Sequence, residues 1–406
     1  MIELRPATEE EMGAVGTLGG YVYGGTFGDG PESMTATANR AEWTLCAFDG
    51  DRLVSTFITI PFTMRMNGAA VAMGGVSGVG TLPDYRRRGL MRQLMTRATE
   101  EMRDRGQTVA SLWASQAAIY QRFGYAIGSS QRTYRVDPAD IAFHDGDTGL
   151  GDVELLDADA GFEAVKALYI AFVADRTGYL HRSRALWHSG PFERNEAEGP
   201  VSVALSRDGS GEPNGYLVYT LRGDRTDHRA RSQELTIRDF AWLGLDAYRS
   251  LWEWVARHDL VGRVLWSSAP ADDPADELFS EPRLLHTQDT EGIWFRVIDV
   301  EPALAARGYT RPGQATLTVL PDDLTPWNAG TYSVETDGTS TEVERLPSGA
   351  EADITLPIKA LGSLFTGHRS ARRLGSWGLI EGSDDAYERV DALLATRHLP
   401  HAPDHF

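Results

Sequence analysis

The basic turn Arg86-Arg-Arg-Gly89 holds the residues whose types and spacing point most clearly to chemistry. A strand-like apolar run ends before it at Pro83, and Gly89 opens a helical pattern with one apolar face: Leu90, Met91, Leu94, Met95, Ala98 and Met102. The first turn of a helix leaves backbone N–H groups unpaired, and its positive end attracts anions. Arginine adds permanent charge and forked donors that suit phosphate. The stretch therefore predicts a phosphate-binding site, the alternative being a solvated basic turn.

Two common phosphate-binding loops do not fit this turn. The chain has no Gly-x-x-x-x-Gly-Lys-Ser/Thr sequence, and no Gly-x-Gly-x-x-Gly follows the strand. The turn instead resembles the acyl-CoA pyrophosphate loop of the GNAT acetyltransferases, which runs Arg/Gln-x-x-Gly-x-Gly/Ala after a strand. Met91 departs from this pattern, because it replaces the small last residue.

Composition narrows the class of protein. The chain has 406 residues, a formal net charge of −19 and one cysteine. This negative charge argues against a nucleic-acid partner. It would attract a cationic substrate, although it could equally serve only to keep the protein soluble. Without a membrane-spanning run or a signal-peptide core, we expect a cytoplasmic protein with no membrane partner. Cys46 is expected to be a buried core thiol, and no Cys/His cluster has metal-ligand spacing, so we expect no metal.

The length predicts two or three domains. Residues 1–148 show helix, strand meander, helix, strand, helix and strand, with a capping box at Thr8 and a hairpin signal at Asn67-Gly68 between strands 63–66 and 69–76. Residues 149–290 form a second α/β pattern, whose strand-to-helix junction has no arginine before Arg249. Residues 291–406, which open with a strand-like run at 293–298, form an α+β pattern. The predicted fold class is therefore α/β and α+β.

Two longer motifs sharpen the resemblance. Pro83-Asp-Tyr-Arg-Arg-Arg-Gly-Leu90 and Leu112-Trp-Ala-Ser-Gln-Ala-Ala-Ile-Tyr-Gln-Arg-Phe-Gly-Tyr125 are together similar to the enhanced-intracellular-survival (Eis) family of GNAT N-acetyltransferases, with weaker matches at 294–298, at 361–369 and in the terminal phenylalanine. The resemblance covers the whole length. It implies tandem GNAT-like domains, the second without cofactor, followed by a sterol-carrier-protein-like domain, and assembly as a homo-oligomer, typically a hexamer.

The resemblance also implies an activity. Members transfer acetyl from acetyl-CoA to amines, and several acetylate aminoglycosides, which links the family to antibiotic resistance; protein lysine is an alternative acceptor. A different class of function is a lipid-binding or scaffold protein with a vestigial GNAT domain. Binding of acetyl-CoA would separate the enzyme from these alternatives.

Family resemblance further implies where acetyl-CoA is held. The contacts would come from a strand end, from the basic turn and helix start, and from the neighbouring strand: Val79, Gly80, Thr81, Arg87, Arg88, Gly89, Leu90, Met91, Arg92, Ser115 and Gln116. Gln116 departs from the acidic residue common in the family.

Transfer of acetyl from a thioester to an amine needs a polarised carbonyl, a proton for the leaving sulfur and a base for the ammonium. Backbone N–H groups around Val79 to Thr81 can polarise the carbonyl. Tyr120 is the predicted general acid, because its place in the longer motif favours that role over a core aromatic, and Tyr125 is its competitor.

The resemblance implies that the base is the C-terminal carboxylate, here that of Phe406. His401, Asp404 and His405 in the same tail are alternative bases or substrate contacts. Three carboxylates are candidate contacts for a polycationic substrate, unless they are ordinary surface groups: Asp29, Glu32 and Asp404.

Overall fold

The computed structural model describes residues 2–25, 39–146, 151–223 and 231–406. The chain divides into two compact units. The first comprises Met1–Ser129, Thr177–Ala185 and Gly292–Phe406, and the second comprises Ser130–Arg176 and Leu186–Glu291.

The strands of the described residues are β1 (Ile2–Pro6), β2 (Thr44–Asp49), β3 (Arg52–Met66), β4 (Ala69–Thr81), β5 (Val109–Leu112), β6 (Ala126–Ile127), β7 (Ser130–Val136), β8 (Asp152–Asp157), β9 (Val201–Arg207), β10 (Pro213–Arg222), β11 (Gln233–Trp242), β12 (Val261–Pro270), β13 (Gln288–Glu291), β14 (Trp294–Val297), β15 (Gly313–Val319), β16 (Gly330–Thr336), β17 (Thr341–Leu346), β18 (Ile354–Leu356) and β19 (Glu381–Gly382). The α-helices are α1 (Met12–Tyr23), α2 (Leu90–Asp104), α3 (Ala117–Gln121), α4 (Ala158–Phe172), α5 (Arg184–His188), α6 (Leu245–Ala256), α7 (Ala275–Leu278), α8 (Val300–Ala306), α9 (Ile358–Phe365), α10 (Ala371–Ser376) and α11 (Asp384–Leu394). None of these helices is long and apolar enough to cross a membrane.

The first unit contains a seven-stranded sheet with the order β1-β2-β3-β4-β5-β14-β6. The predicted hairpin is confirmed, since β3 and β4 meet at Asn67-Gly68, and both turn residues have positive φ, at 51° and 89°. The structure also corrects one expectation: the predicted strand 63–66 is only the end of β3, which runs unbroken for 15 residues.

β4 and β5 separate after a short parallel pairing. They pair from Met73↔Val109 only to Gly75↔Ser111. β5 then ends at Leu112, while β4 continues to Thr81 paired with β3 on its other side. A gap therefore opens in the sheet, next to the residues predicted to bind acetyl-CoA.

Helix α2 packs its predicted apolar face onto this sheet. Leu94, Met95, Ala98 and Met102 are buried in a core that also contains Phe57, Val76, Leu112 and Tyr120. Burial of each leucine or methionine side chain contributes roughly 1.5–3 kcal/mol. The first turn of α2, just after the basic turn, is thereby held firmly at the open end of the strand gap.

Strand β14 belongs to the first sheet, although its sequence position suggested the start of the third domain. Trp294 pairs with both Leu112 of β5 and Ile127 of β6. Conversely, β7 pairs with β12 and β13 in the sheet of the second unit. Such long-range pairings leave no local signal, so the boundaries 1–148, 149–290 and 291–406 stay a prediction.

Arg296 on β14 supports the segment that carries Tyr120. Its fully buried guanidinium donates hydrogen bonds to the carbonyl of Phe123, to the carboxylate of Asp322 and to the hydroxyl of Thr325. Gly124 has a φ of +71°, and a Cβ at that position would overlap the guanidinium. The hydrogen bond from Arg296 therefore fixes the backbone just after α3, and it requires glycine at position 124.

We expect Gly124→Ala to destabilise the first unit by ~2 kcal/mol or more, because the left-handed backbone costs about 1–2 kcal/mol and the clash disturbs a buried hydrogen bond. Gly106→Ala is a matched control. Gly106 also has a positive φ, 73°, but has no atom within 4 Å of the added carbon. Thermal or urea unfolding of both variants would show the difference; equal losses would mean that the Arg296 contact adds nothing.

The second unit contains a seven-stranded sheet with the order β13-β7-β12-β11-β10-β9-β8. α6 packs on it through Tyr248, Leu251 and Trp252. As the sequence suggested, the β11–α6 junction does not form a basic turn. Asp246 lies in the first turn of α6 and places negative charge where a phosphate would bind, while Arg249 pairs with Asp145 at 2.7 Å.

The C-terminal part of the first unit forms a five-stranded sheet with the order β17-β16-β15-β18-β19. α11 packs on β15, and α9 packs on β14 and β6 of the larger sheet. Lys359 on α9 also donates to Gln121 of α3 at 2.7 Å. This region thus contributes directly to holding α3 in place.

Candidate active site

A cleft of about 570 Å³ lies at the gap between β4 and β5. The predicted residues from the end of β4 line it: Val79, Gly80 and Thr81. So do those from the turn and helix start, Arg87, Gly89, Leu90, Met91 and Arg92, and those after β5, Ser115 and Gln116. Tyr120 lines the same cleft.

The end of β4 contains a bulge at Gly78. Thr56 pairs with Gly80 and Ile58 pairs with Ser77, so Gly78 and Val79 have no single partner opposite in β3. Gly78 has a φ of +54°, and its carbonyl accepts a hydrogen bond from Thr56 Oγ1 at 2.7 Å. Since a bulge re-aims the backbone, it turns part of this strand out of the β3 ladder beside the cleft.

The basic turn forms a concave donor site. Arg87 and Gly89 both have left-handed backbones, with φ of 63° and 79°, and Gly89 caps α2 without a side-chain acceptor. Left-handed residues in a turn create the N–H arrangement that binds anions. The N–H groups of Leu90, Met91 and Arg92, in the first turn, therefore remain available to a ligand. This donor set fits the pyrophosphate of acetyl-CoA.

The arginines of the turn have different surroundings. Arg88 does not line the described cleft: its guanidinium donates to the Asp84 carbonyl at 2.8 Å and lies 4.6 Å from the centre of the Tyr85 ring. Arg87 and Arg92 face the cleft, as does Arg122, which no sequence motif indicated. Four arginine side chains in all contribute to the lining, the fourth being Arg86.

Helix α1 supplies two cleft residues that no sequence motif indicated, Val22 and Tyr23. The Tyr23 hydroxyl donates to the Val79 carbonyl at 2.8 Å. Tyr23 and Val79 are 56 positions apart in the chain, so only the packing of α1 on the sheet could reveal this contact.

Tyr120 is placed as a proton donor would need to be. It is only 4% exposed but borders the cleft. Burial raises the pKa of Tyr120 well above its usual 10, and the neighbouring Tyr23 and Tyr125 raise it further, while a hydrogen bond to Ser115 opposes the rise. The hydroxyl is therefore protonated at neutral pH. Tyr125, the competitor, is fully buried and absent from the described lining.

The C-terminal tail ends where the strand gap begins. The ring of Phe406 packs on Phe62 at a centroid distance of 4.9 Å, and a Cβ on Gly75 would lie 3.0 Å from it. Gly75 is the last residue of β4 that pairs with β5. Phe406 itself is not among the described residues that line the cleft, so the terminal carboxylate remains a predicted base.

The other tail residues have distinct environments. Asp404 is buried and paired with Arg182 at 2.8 Å, which favours an anchoring role over the predicted substrate contact. His401 is buried, whereas His405 keeps part of its surface in solvent while its ring stacks on Trp113. Desolvation of its imidazole lowers the pKa of His405, so the ring can accept a proton. Asp29 and Glu32 lie outside the described residues.

Two further expectations concern other chemistry. Cys46 is fully buried, and burial raises the pKa of its thiol to about 12, which makes it a poor nucleophile. Within the described ranges, no group of three or more His, Cys, Asp and Glu side chains could hold a metal ion.

We expect Arg87→Ala to raise the KM for acetyl-CoA about 10-fold or more with little change in kcat, because it removes a charge-assisted contact worth ~1.5–3 kcal/mol. Arg88→Ala is the matched control and should change KM much less, since its side chain faces Asp84 and Tyr85. Steady-state kinetics with varied acetyl-CoA would test both. A larger effect at Arg88 would contradict this assignment.

Comparison with known proteins agrees with the fold. Residues 3–128 match a GNAT acetyltransferase domain family, residues 178–297 match a second one, and residues 300–403 match a sterol carrier protein domain. The predicted order of two GNAT domains followed by a sterol-carrier-protein-like domain is thereby confirmed.

Relatives match over most of the chain. The N-acetyltransferase Eis of Mycobacterium tuberculosis is 30% identical over 384 residues, which is 90% of each chain. An uncharacterised N-acetyltransferase of Streptomyces avermitilis is 28% identical over 375 residues, 89% of this chain and 88% of the relative. The crystal structure of Eis1 from Mycobacterium abscessus is similar over 100% of both chains, with a TM-score of 0.84 and 29% identity.

GNAT acetyltransferases use acetyl-CoA as acyl donor, and the basic turn at the strand gap has the donors to hold it. Together with the similarity to the N-acetyltransferase Eis over 90% of the chain, this makes the protein an acyltransferase that belongs to the Eis family of N-acetyltransferases.

Proposed function

We propose that this enzyme acetylates amino groups of cationic small molecules such as aminoglycosides, with Tyr120 as general acid and the Phe406 carboxylate as general base. The observation that carries the proposal is the arrangement at the strand gap. A buried, protonated tyrosine and four arginines border one cleft, and the chain end is anchored beside the last paired residues of β4 and β5.

Acetyl-CoA would supply the activated acyl thioester. Arg87, Arg92 and the first-turn N–H groups of α2 would hold its pyrophosphate, and the backbone beside the Gly78 bulge would orient its carbonyl. The Phe406 carboxylate would take a proton from the acceptor ammonium. As the C–N bond forms and the C–S bond breaks, the Tyr120 hydroxyl would donate its proton to the sulfur. The nitrogen, now part of the new amide, would lose its second proton to solvent, and the Tyr120 oxygen would take a proton back from solvent. The reaction would be sequential, because buried Cys46 cannot carry the acyl group.

The acceptor class rests on charge. A net charge of −19 raises the local concentration of polycations. Protein lysine is the alternative acceptor with the same chemistry. A lipid-binding or scaffold role with a vestigial GNAT domain is disfavoured, because the basic turn retains its donors and Tyr120 borders the cleft.

The test is thiol release from acetyl-CoA across a panel of aminoglycosides, simple polyamines and a lysine peptide. Release with aminoglycosides would support the proposed substrate class. Release with only another amine would support the proposed mechanism but reject aminoglycosides as the substrate class. Failure to bind acetyl-CoA at all would reject the enzymatic mechanism in favour of the lipid-binding or scaffold role.

Two further features belong to the proposal. We expect a homo-oligomer, a hexamer in keeping with the family resemblance, and a cytoplasmic location. Light scattering on the purified protein would measure the oligomer, and cell fractionation would measure the location.

A further inference from the structure

We propose that Arg182, Asp404 and Trp113 are positioning residues that hold the C-terminal segment so that its carboxylate can act on the acceptor amine. The inference rests on the proposed role of Phe406 as base. None of the three would touch the reacting atoms; each would act through the tail.

The first contact of the tail is an ion pair in the interior of the first unit. Arg182 Nε lies 2.8 Å from Asp404 Oδ1, and the two side chains are only 1% and 2% exposed. Removing two charges from water is costly, and apolar residues of similar volume are often at least as stabilising. We therefore infer that the pair mainly positions the tail rather than stabilising the fold. Its charge-assisted hydrogen bond fixes residue 404 in one place, two residues before Phe406.

Trp113 holds the same segment from the other direction. It directly follows β5, so the sheet fixes its position. Its indole Nε1 donates to the Asp404 carbonyl at 3.0 Å, and its ring stacks on His405 with a centroid distance of 3.9 Å and an interplanar angle of 18°. The backbone and side chain around residues 404 and 405 are thus held at three points.

Residues 177–178 contact the beginning of the C-terminal segment. The His401 N–H donates to the Thr177 carbonyl at 2.9 Å. Gly178 has a φ of +94°, and a Cβ there would overlap the backbone of His401, so glycine allows the close approach. At the far end, the Phe406 ring packs on Phe62. Chain ends usually fray, whereas this one is restrained along its last six residues.

The double variant Arg182→Met/Asp404→Leu tests this proposal, because it removes both charges together and avoids an unpaired buried charge. We expect kcat to fall roughly 10- to 100-fold, since a shift of about 1 Å can cost that much. The KM for acetyl-CoA should stay unchanged. Trp113→Phe, which keeps the stacking but removes the N–H donor, should lower kcat in the same way to a smaller extent.

The pH profile separates positioning from general destabilisation. Above the pKa of the acceptor amine the substrate needs no base, so the ratio of wild-type to variant kcat should shrink as pH rises through that value. Val334 is a fully buried residue of β16 in the same unit, so Val334→Ala creates a cavity there. This control variant should lower the melting temperature without changing how kcat depends on pH.

A protein with a C-terminal carboxamide, made by semisynthesis, distinguishes the role of the carboxylate as base from the role of the three positioning residues. If the carboxamide protein is inactive while the double variant and Trp113→Phe keep wild-type kcat and pH profile, the carboxylate remains the base and the positioning role is wrong. If the carboxamide protein is fully active, the carboxylate is not the base and both proposals are overturned. Loss of kcat in all three with acetyl-CoA binding intact supports both.

Discussion

Replacing Tyr120 with phenylalanine should lower kcat by about 10²- to 10⁴-fold, the usual contribution of a positioned general acid. The affinity for acetyl-CoA should hardly change, because the substitution removes only the hydroxyl and keeps the ring. Burial keeps the pKa of Tyr120 above its usual value, so the wild-type hydroxyl still carries its proton at neutral pH. Single-turnover kinetics together with a direct measurement of acetyl-CoA binding would separate chemistry from binding.

Tyr125→Phe is the matched control. The two tyrosine rings meet edge to face at 6.1 Å, but the Tyr125 hydroxyl is buried and has no hydrogen-bond partner among the described residues. Its removal should leave kcat nearly unchanged. An equal loss in the Tyr125 variant would assign the proton to that residue, and weaker acetyl-CoA binding after Tyr120→Phe would mean that Tyr120 has a packing role.

Deleting Phe406 should lower kcat by roughly 10²-fold at neutral pH, in the range expected for loss of a general base. The deletion moves the terminal carboxylate back to residue 405, which is held against Trp113. Acetyl-CoA binding should persist, because Phe406 is outside the described cleft lining. Activity should recover as pH approaches the pKa of the acceptor amine, since more of the amine is then already unprotonated.

Phe406→Leu separates the ring from the carboxylate. Leucine keeps the terminal carboxylate and an apolar side chain opposite Phe62 and Gly75, so most activity should remain. Full turnover after the deletion would show that a carboxylate at residue 406 is not required, and would overturn its role as base in favour of His405 or water. A loss as severe in Phe406→Leu as in the deletion would assign the effect to ring packing.

Features that depend on neighbouring residues could be read from the chain directly. The apolar spacing of α2, the Asn67-Gly68 hairpin and the basic turn each arise from contacts within one short segment. The basic-turn pattern accepts a larger residue at its last position, because Met91 replaces the usual small residue there and still lines the cleft. The capping box at Thr8 and Glu11 likewise forms as its sequence predicts.

Assignments that depend on which partner a charged side chain takes were less complete. Arg88 looked equivalent to Arg87, but a hydrogen bond to Asp84 and the Tyr85 ring turn it from the cleft. Asp404 looked like an exposed acidic contact, but it is paired with Arg182 across 222 positions of the chain. In both cases the partner determines the orientation of a charged side chain, and the residue type alone does not specify that partner, whether it lies 4 or 222 positions away.

The sequence by itself determined the anion-binding turn, the helix behind it and the order of two α/β patterns and an α+β pattern, since local spacing and backbone preference specify these features. Only the tertiary structure decided that β14 joins the first sheet, that Tyr23 and Arg122 reach the cleft, and that the tail ends beside Gly75. These depend on strand pairing, burial and ion pairing between segments far apart in the chain, whose free energies arise only when the whole unit has folded.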